Sequence, residues 1–523
     1  MNNIYDIILI GGGHNGLTAA CLLAKKGKRV LLLEKRAILG GIAAGEEFYP
    51  AYRTHGLLHD TSNIRTALIR PLQLEKYGLK IDSNRPGVAL LAKDRTGIYL
   101  AADAQKAAQT ISSFSQHDAD AYLAYQAFID KIRPFVSSLM EKMPPDLMKL
   151  GAKQILALAQ KGLGLKRLGK KTMLELLKVA PMSVADFLDE FFETDFLKAA
   201  LAAPAIYATY TGPFSSYTTL NLLLWECAAQ SHIVGGPQAL VSALEQAAGE
   251  LGVEIKTETT VTNIRLSDEG VVEGVSTADG ETYKASVIAS SCTPKETFLN
   301  FFHPSELDYS LDRGIGHFRS RGTTAKVNLA LKQPLNFKCE TDEKIEYART
   351  GNTFLEMEKA FDPVKYRQFS EEPLLDICIP SISSPELAPE GHQVATILVH
   401  FAPHHFDEGW TEEQKEKLGD IVIKTLSQYV DNLAEALVAR ETLTPIDLES
   451  RYALTGGHVY HGEHAPDQLI TRPIPSCARY STPISGLYLC GSGSHPGGGI
   501  TAAPGALAAQ AILNKHKIHS RNI

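Results

Sequence analysis

The chain has 523 residues, of which 44% are hydrophobic and 21% charged, with a formal net charge of −7. That length exceeds what one small core serves, so two lobes are expected, and the acidic net charge argues against nucleic acid as the main partner. The seven cysteines (Cys21, Cys227, Cys292, Cys339, Cys378, Cys477 and Cys490) include no C-x-x-C pair, which excludes a dithiol redox centre or zinc knuckle and fits reduced thiols.

The first predicted element is a strand, Tyr5 to Ile10, whose apolar run suits a buried parallel position. Polar Asn2 and Asn3 precede it, so no signal peptide is expected. The strand runs into Gly11-Gly12-Gly13-His14-Asn15-Gly16, where Gly11, Gly13 and Gly16 supply G-x-G-x-x-G spacing. The first glycine serves the tight turn, the second admits a pyrophosphate, and the third lets the next helix pack close. That helix is expected from Leu17 to Lys26, stopping at Gly27, with its N-terminal N–H groups aimed at phosphate. A second strand, Arg29 to Leu33, ends in Glu34, a carboxylate placed to accept from the ribose hydroxyls and to repel a 2′-phosphate. Strand, glycines, helix, strand and acid in that order specify a dinucleotide. The second glycine pair, Gly40-Gly41, selects FAD over NAD.

Residues 105–229 read as mostly helical and are expected to cap the substrate site. Within 147–174 lie Lys149, Lys153, Lys161, Lys166, Arg167, Lys170 and Lys171, with no acid and with interleaved leucines. A basic amphipathic segment of this kind is expected either to touch an anionic membrane or to form a solvated face with a core-facing stripe. Gly162-Leu163-Gly164 has no preceding strand and is not a second dinucleotide motif.

Gly235-Gly236-Pro237 opens a helix expected from Gln238 to Leu251, followed by strands over Val253 to Lys256 and Val261 to Leu266. A hairpin then leads to the strand Ala285 to Ser290, and the Val261 backbone is placed to meet the adenine. Near the C-terminus, Leu487-Tyr488-Leu489-Cys490-Gly491 reaches the loop His495-Pro496-Gly497-Gly498-Gly499-Ile500 and a helix from about Ala502 to Leu513. A helix N-terminus there stabilises the negative charge that a flavin pyrimidine gains on reduction. Cys490 sits on a buried strand, which argues for non-covalent FAD. No apolar run reaches about 18 residues, so no membrane-spanning helix is expected. The localisation expected is cytoplasmic, with peripheral membrane contact open.

The opening motif, the Gly235-Gly236-Pro237 helix and the closing glycine loop together resemble the carotenoid and retinoid oxidoreductase family. That family includes phytoene desaturases and falls within the wider amine-oxidase-like flavoproteins. Arg321 to Asn328 and Gly456 to Glu463, running on to Asp467-Gln468-Leu469 and Arg472-Pro473, are similar to its branch named for a pyridine nucleotide-disulfide oxidoreductase domain. The resemblance implies a Rossmann-like FAD-binding domain assembled from 1–104, 230–300 and 452–523, with an α+β substrate domain from 105–229 and 301–451. The cofactor set expected from motifs and resemblance together is Gly11, Gly13, His14, Asn15, Gly16, Glu34, Lys35, Gly40, Gly41, Val261, Gly491, Gly498, Gly499 and Ile500.

The leading expectation is an FAD-dependent oxidoreductase that desaturates an apolar small molecule by hydride transfer to flavin N5. The alternatives are a flavin amine oxidase, a redox-neutral isomerase, and a flavin-stabilised scaffold with little turnover. No catalytic residue stands out. His55, His59, His458, His461 and His495 are the candidates for proton movement, since imidazole titrates near neutrality. The sets His458/His461/His464 and His400/His404/His405 lack a cysteine partner and are not expected to hold metal. Oligomerisation is open.

Overall fold

Where the apolar runs fall determines which strands sit centrally. The computed structural model describes residues 4–94, 97–146, 148, 151–339 and 341–519. The first sheet and its helices comprise β1 (Ile4–Ile10), α1 (His14–Ala24), β2 (Val30–Leu33), α2 (Gly236–Glu250), β3 (Glu254–Lys256), β4 (Val261–Leu266), β5 (Val272–Thr277), β6 (Thr282–Ser290), β7 (Leu487–Leu489) and α3 (Ala503–His519). Their order across the sheet is β4-β5-β6-β1-β2-β3, with β7 also pairing with β6. Ile7 of β1 lies opposite Val30 on one side and Val287 on the other, both in parallel register. A strand paired on both edges and covered on both faces must be apolar throughout, and Ile7 to Ile10 are all buried. Helices α1, α2 and α3 pack together on one face. The opposite face is closed by the β4–β5 hairpin and side chains such as Phe298, Phe301 and Ile315.

A second sheet has the order Leu437–Leu443, Thr324–Leu331, Gln393–His400, Leu374–Cys378, Tyr347–Arg349, Val88–Leu90, Ile98–Leu100. Beside it, helices including Gln116–Met140, Asp195–Ile206 and Thr218–Ala228 enclose an aromatic-rich core around Tyr125 and Phe187. The architecture is therefore an α/β, Rossmann-like fold of discontinuous segments joined to a second sheet and a helical layer.

Three expectations shift in detail. Val88–Leu90 and Ile98–Leu100 fall within 1–104 yet pair into the second sheet, because Ala89 finds its partner at Ala348, far outside any local pattern. Helix α1 begins at His14 rather than Leu17, since the glycine turn already carries helical residues with Gly13 as N-cap. The basic segment is two helices, Ala152–Arg167 and Lys170–Val179, parted at Gly169 with φ +84°. Leu147, Lys149 and Leu150 of that segment lie outside the described residues.

Candidate active site

The glycine turn and the C-terminal loop build one cleft. Gly11 N–H donates to the Leu33 carbonyl at 2.8 Å, fixing the turn against β2. A Cβ on Gly16 would lie 2.1 Å from the Gly11 carbonyl oxygen, so only glycine lets α1 start this close to β1. Gly13 faces the opposite condition: the nearest atom to a Cβ there is 4.0 Å away, which leaves its surface open to a ligand. The second glycine pair is zipped to the first, with Gly40 N–H donating to the Gly12 carbonyl at 2.8 Å. Glu34 is buried, and its carboxylate accepts from Gly12 N–H at 2.6 Å and Arg36 N–H at 2.8 Å. Both oxygens are thereby fixed, with lone pairs to spare for hydroxyl donors.

From the other end of the chain, Ser492 follows β7 and accepts from Asn15 Nδ2 at 3.1 Å. Gly505 in α3 approaches so closely that a Cβ would lie 2.1 Å from the Asn15 carbonyl oxygen. The resulting cleft encloses about 890 Å³ and is lined by Gly11, Gly13, His14, Asn15, Glu34, Lys35, Gly41, Val261, His461 and Ser492, among others. Val261 and its neighbours Thr259 and Thr260 line the same cleft beside Glu34, whose carbonyl accepts from Thr259 N–H at 2.9 Å. Two buried imidazole nitrogens on this cleft, His14 Nε2 and His461 Nδ1, have no hydrogen-bond partner among the described residues. Burial holds both rings neutral, lowering His14 to about 4 and His461 to about 3. Two orphaned polar groups and an open glycine surface fit a dinucleotide that brings its own donors and acceptors.

The loop that ends the cleft also begins a second cavity. Gly498 N–H donates to His464 Nε2 at 3.2 Å, and His464 stacks on Tyr460 with centroids 4.9 Å apart and planes within 3°. Gly498, Gly499 and Thr501 face a cavity of about 680 Å³ whose walls are Met140, Pro204, Leu224, Trp225 and Leu469. Its polar lining consists of Asn63, Arg65, Tyr207, Thr209, Asn221, Tyr460, His464 and Thr501, without a carboxylate. Pro204 and Trp225 also line a third cavity of about 820 Å³ that contains His59, Arg85, Glu226, Arg349 and Asp376. There, Asp376 accepts from Arg349 Nε at 3.2 Å and pairs with His59 Nε2 at 3.1 Å. Burial pushes the Asp376 carboxyl up, but His59 and Arg349 outweigh it and hold the group well below the usual carboxylate range.

The five histidine candidates do not converge. His461 lines the cofactor cleft and His59 the third cavity. His55 is buried against Gly236, and burial lowers it to about 4. His458 lines none of the three cavities, and its Nδ1 accepts the Tyr460 N–H at 3.2 Å. His495 ties the glycine loop to the cap through Leu139 O at 3.0 Å. Nor do the closely spaced sets gather: His400 stacks on Tyr207, His404 pairs with Glu449, and His464 serves Gly498.

Several residues at the site are not singled out by sequence reasoning: Arg65, Tyr207, Asn221 and Trp225; Lys326, away from the three cavities, enters only within the Arg321 to Asn328 stretch similar to the family branch. Lys326 lies in the apolar strand Thr324–Leu331, fully buried, with Nζ donating to Leu57 O at 2.7 Å. A lysine in an otherwise apolar central strand is itself a signal. Arg472 stands out in the sequence only as part of a stretch similar to the family branch. It is fully buried and donates to the carbonyls of Tyr460, Gly462, Glu463 and Ser492, which fixes the His461 loop.

The profile of the flavin-containing amine oxidoreductases matches residues 16–513. The chain belongs to that family. As a member it is an FAD-dependent oxidoreductase, and the cleft described above has the features such a cofactor needs. It is 30% identical over 555 residues to the pyridine nucleotide-disulfide oxidoreductase domain-containing protein 2 of Rattus norvegicus, covering 98% of this chain and 94% of that protein. To a limonene dehydrogenase component of Castellaniella defragrans it is 28% identical over 550 residues, covering 97% and 94%. A solved oxidoreductase from Methanosarcina mazei shares the fold with TM-score 0.58 at 16% identity, over 97% of this chain and 100% of that one. Despite the first relative's name, this flavoprotein's seven cysteines are all free, and six of them are buried. Gly162 and Gly164 lie inside a helix, so they form no second nucleotide turn.

Proposed function

We propose that this flavoprotein dehydrogenates an apolar small molecule, forming a carbon–carbon double bond. The observation that carries the reading is the cavity at Gly498-Gly499, where Met140, Pro204, Leu224, Trp225 and Leu469 supply an apolar and aromatic wall beside polar side chains, none of them a carboxylate. A cationic amine finds no counter-charge there, only the guanidinium of Arg65, so the amine oxidase alternative is disfavoured. The limonene dehydrogenase relative supports the same direction. FAD, held by the glycine turn, Glu34 and the Gly498-Gly499 loop, would supply the two-electron acceptor for the hydride, and an external acceptor would reoxidise it. The protein's part is positional. Gln116–Met140 and Thr218–Ala228 close the cavity from water, His495 holds the cap to the glycine loop, and the loop's helix N-terminus offers partial positive charge. Mixing the purified yellow protein anaerobically with apolar alkenes, acyl compounds and amines tests the proposal. Bleaching by an apolar compound is expected, and bleaching by amines alone refutes it.

We also propose that the helices Ala152–Arg167 and Lys170–Val179 dock on an anionic lipid surface. Supporting this, Ile155 and Leu156 are 58% and 60% exposed, and Leu163, Leu174 and Leu177 are also exposed beside Lys161, Lys166, Arg167, Lys170 and Lys171. Met140, at the end of the preceding helix, lines the substrate cavity, so docking here brings an apolar reservoir close to it. Among the described residues no helix is long and apolar enough to cross a membrane. Flotation with vesicles containing phosphatidylserine is expected at low salt and lost on neutral vesicles; absence from both refutes docking.

A further inference from the structure

Arg65 is 5% exposed, and its guanidinium makes no hydrogen bond or ion pair with any described residue. Glu141 attracts it through space without bonding it, and burial lowers its affinity for the proton. Its backbone is fixed by donation from Arg65 N–H to Thr501 O at 3.1 Å, which places the residue beside the glycine loop. The side chain lines the cavity at Gly498-Gly499. Two more unpartnered polar atoms line the same cavity: the Tyr207 hydroxyl, on a ring stacked 3.9 Å from His400, and Asn221 Oδ1. Two partly buried arginines near the substrate side are compensated. Arg85 pairs with Glu226 at 2.9 Å and Arg349 with Asp376 at 3.2 Å.

A buried guanidinium has five donors and a fixed charge, and it is retained where acids or carbonyls accept from it, as four carbonyls do from Arg472; Arg65 has neither among the described residues. No described acid lines this cavity, which leaves a ligand to supply the acceptor for Arg65. We infer that the substrate is an apolar molecule ending in a carboxylate, which Arg65 binds with help from the Tyr207 hydroxyl. A planar carboxylate matches the guanidinium fork, while Met140, Pro204, Leu224, Trp225 and Leu469 take the apolar body. This rests on the dehydrogenase reading above and adds the polar end by which the substrate is oriented.

The test uses the FAD-loaded protein with linoleate, methyl linoleate and linoleylamine as probes, reading binding as perturbation of the flavin absorption band. Linoleate is expected to bind about tenfold or more tighter than its ester, as one lost hydrogen bond to a charged group predicts. Arg65→Gln should remove that preference while leaving the ester's affinity unchanged, and Tyr207→Phe should reduce it. Equal binding of acid and ester to the unaltered protein overturns the inference without any variant. So does an Arg65→Gln protein that keeps its acid preference, or one that loses flavin instead, which makes Arg65 a counter-charge for the cofactor. Should linoleate bind tightly without bleaching the flavin anaerobically, carboxylate recognition stands and dehydrogenation of this probe fails, so the two ideas are separable.

Discussion

Adding a single methyl group at Gly16 tests whether the cofactor cleft works as described. A Cβ there falls 2.1 Å from the Gly11 carbonyl oxygen and 3.0 Å from Ser291 Oγ. Neither neighbour is free to yield, because Gly11 is bonded to Leu33 O at 2.8 Å and Ser291 Oγ donates to Gly11 O at 2.8 Å. Helix α1 must therefore move outward by nearly an ångström to restore even a 3.0 Å contact. Overpacking of this kind costs about 1–3 kcal/mol of stability. The same movement withdraws the first-turn N–H groups from the pyrophosphate. Loss of one charge-assisted hydrogen bond, worth about 1.5–3 kcal/mol, raises the FAD dissociation constant roughly ten- to a hundredfold. The assay is titration of deflavinated Gly16→Ala with FAD by fluorescence quenching, with urea unfolding of the apo-protein alongside. Gly249→Ala is the control: nothing lies within 4 Å of its Cβ on the exposed end of α2. It should stabilise the fold by about 0.5–1 kcal/mol. A Gly16→Ala protein that binds FAD within about twofold of the original refutes the reasoning, since that corresponds to less than one hydrogen bond.

Other expected outcomes follow from buried charge. Glu34→Gln turns one acceptor into a donor facing Gly12 or Arg36 N–H, so FAD retention in gel filtration should fall; unchanged retention refutes the role. Burial lowers the Lys326 ammonium to about 8, whereas the unfolded chain has the ordinary lysine value near 10.4. Between those values the unfolded state binds more protons, so stability rises with pH, and below about 8 the slope vanishes. Lys326→Met should flatten the urea midpoint across that window, and a flat profile in the unaltered protein would count against the assignment. Arg472→Leu strips four carbonyls of their donor and should destabilise by about 3 kcal/mol or more, with loss of flavin, as thermal unfolding and absorbance would show.

The FAD side was legible because its constraints are local. Gly11 to Gly16, Glu34 and the loop at Gly498 each carry their reason in adjacent residues: a turn, a close approach, a helix N-terminus. The parallel strand β6 was legible too, as an apolar run ending in Ser291-Cys292-Thr293-Pro294. The substrate side was not. Arg65, Tyr207 and Asn221 meet only through tertiary packing, and nothing in the residues flanking Arg65 announces that no acid will face it. Val88–Leu90 joins a sheet through Ala348, a pairing no short-range periodicity encodes. Histidines misled for a related reason. Their residue type promises proton chemistry, but burial and neighbours such as Leu139 O make His495 a structural tie.

The hydrogen bond from Asn15 to Ser492 spans 477 residues. At a synthesis rate of roughly 5–20 residues per second, the glycine turn leaves the ribosome about half a minute or more before its closing partner exists. During that interval β1 and α1 can form, but α3 is missing from their packed face and β6 lacks β7. The pocket is therefore assembled late in synthesis: a chain stalled before Ser492 has the nucleotide turn without its closing wall.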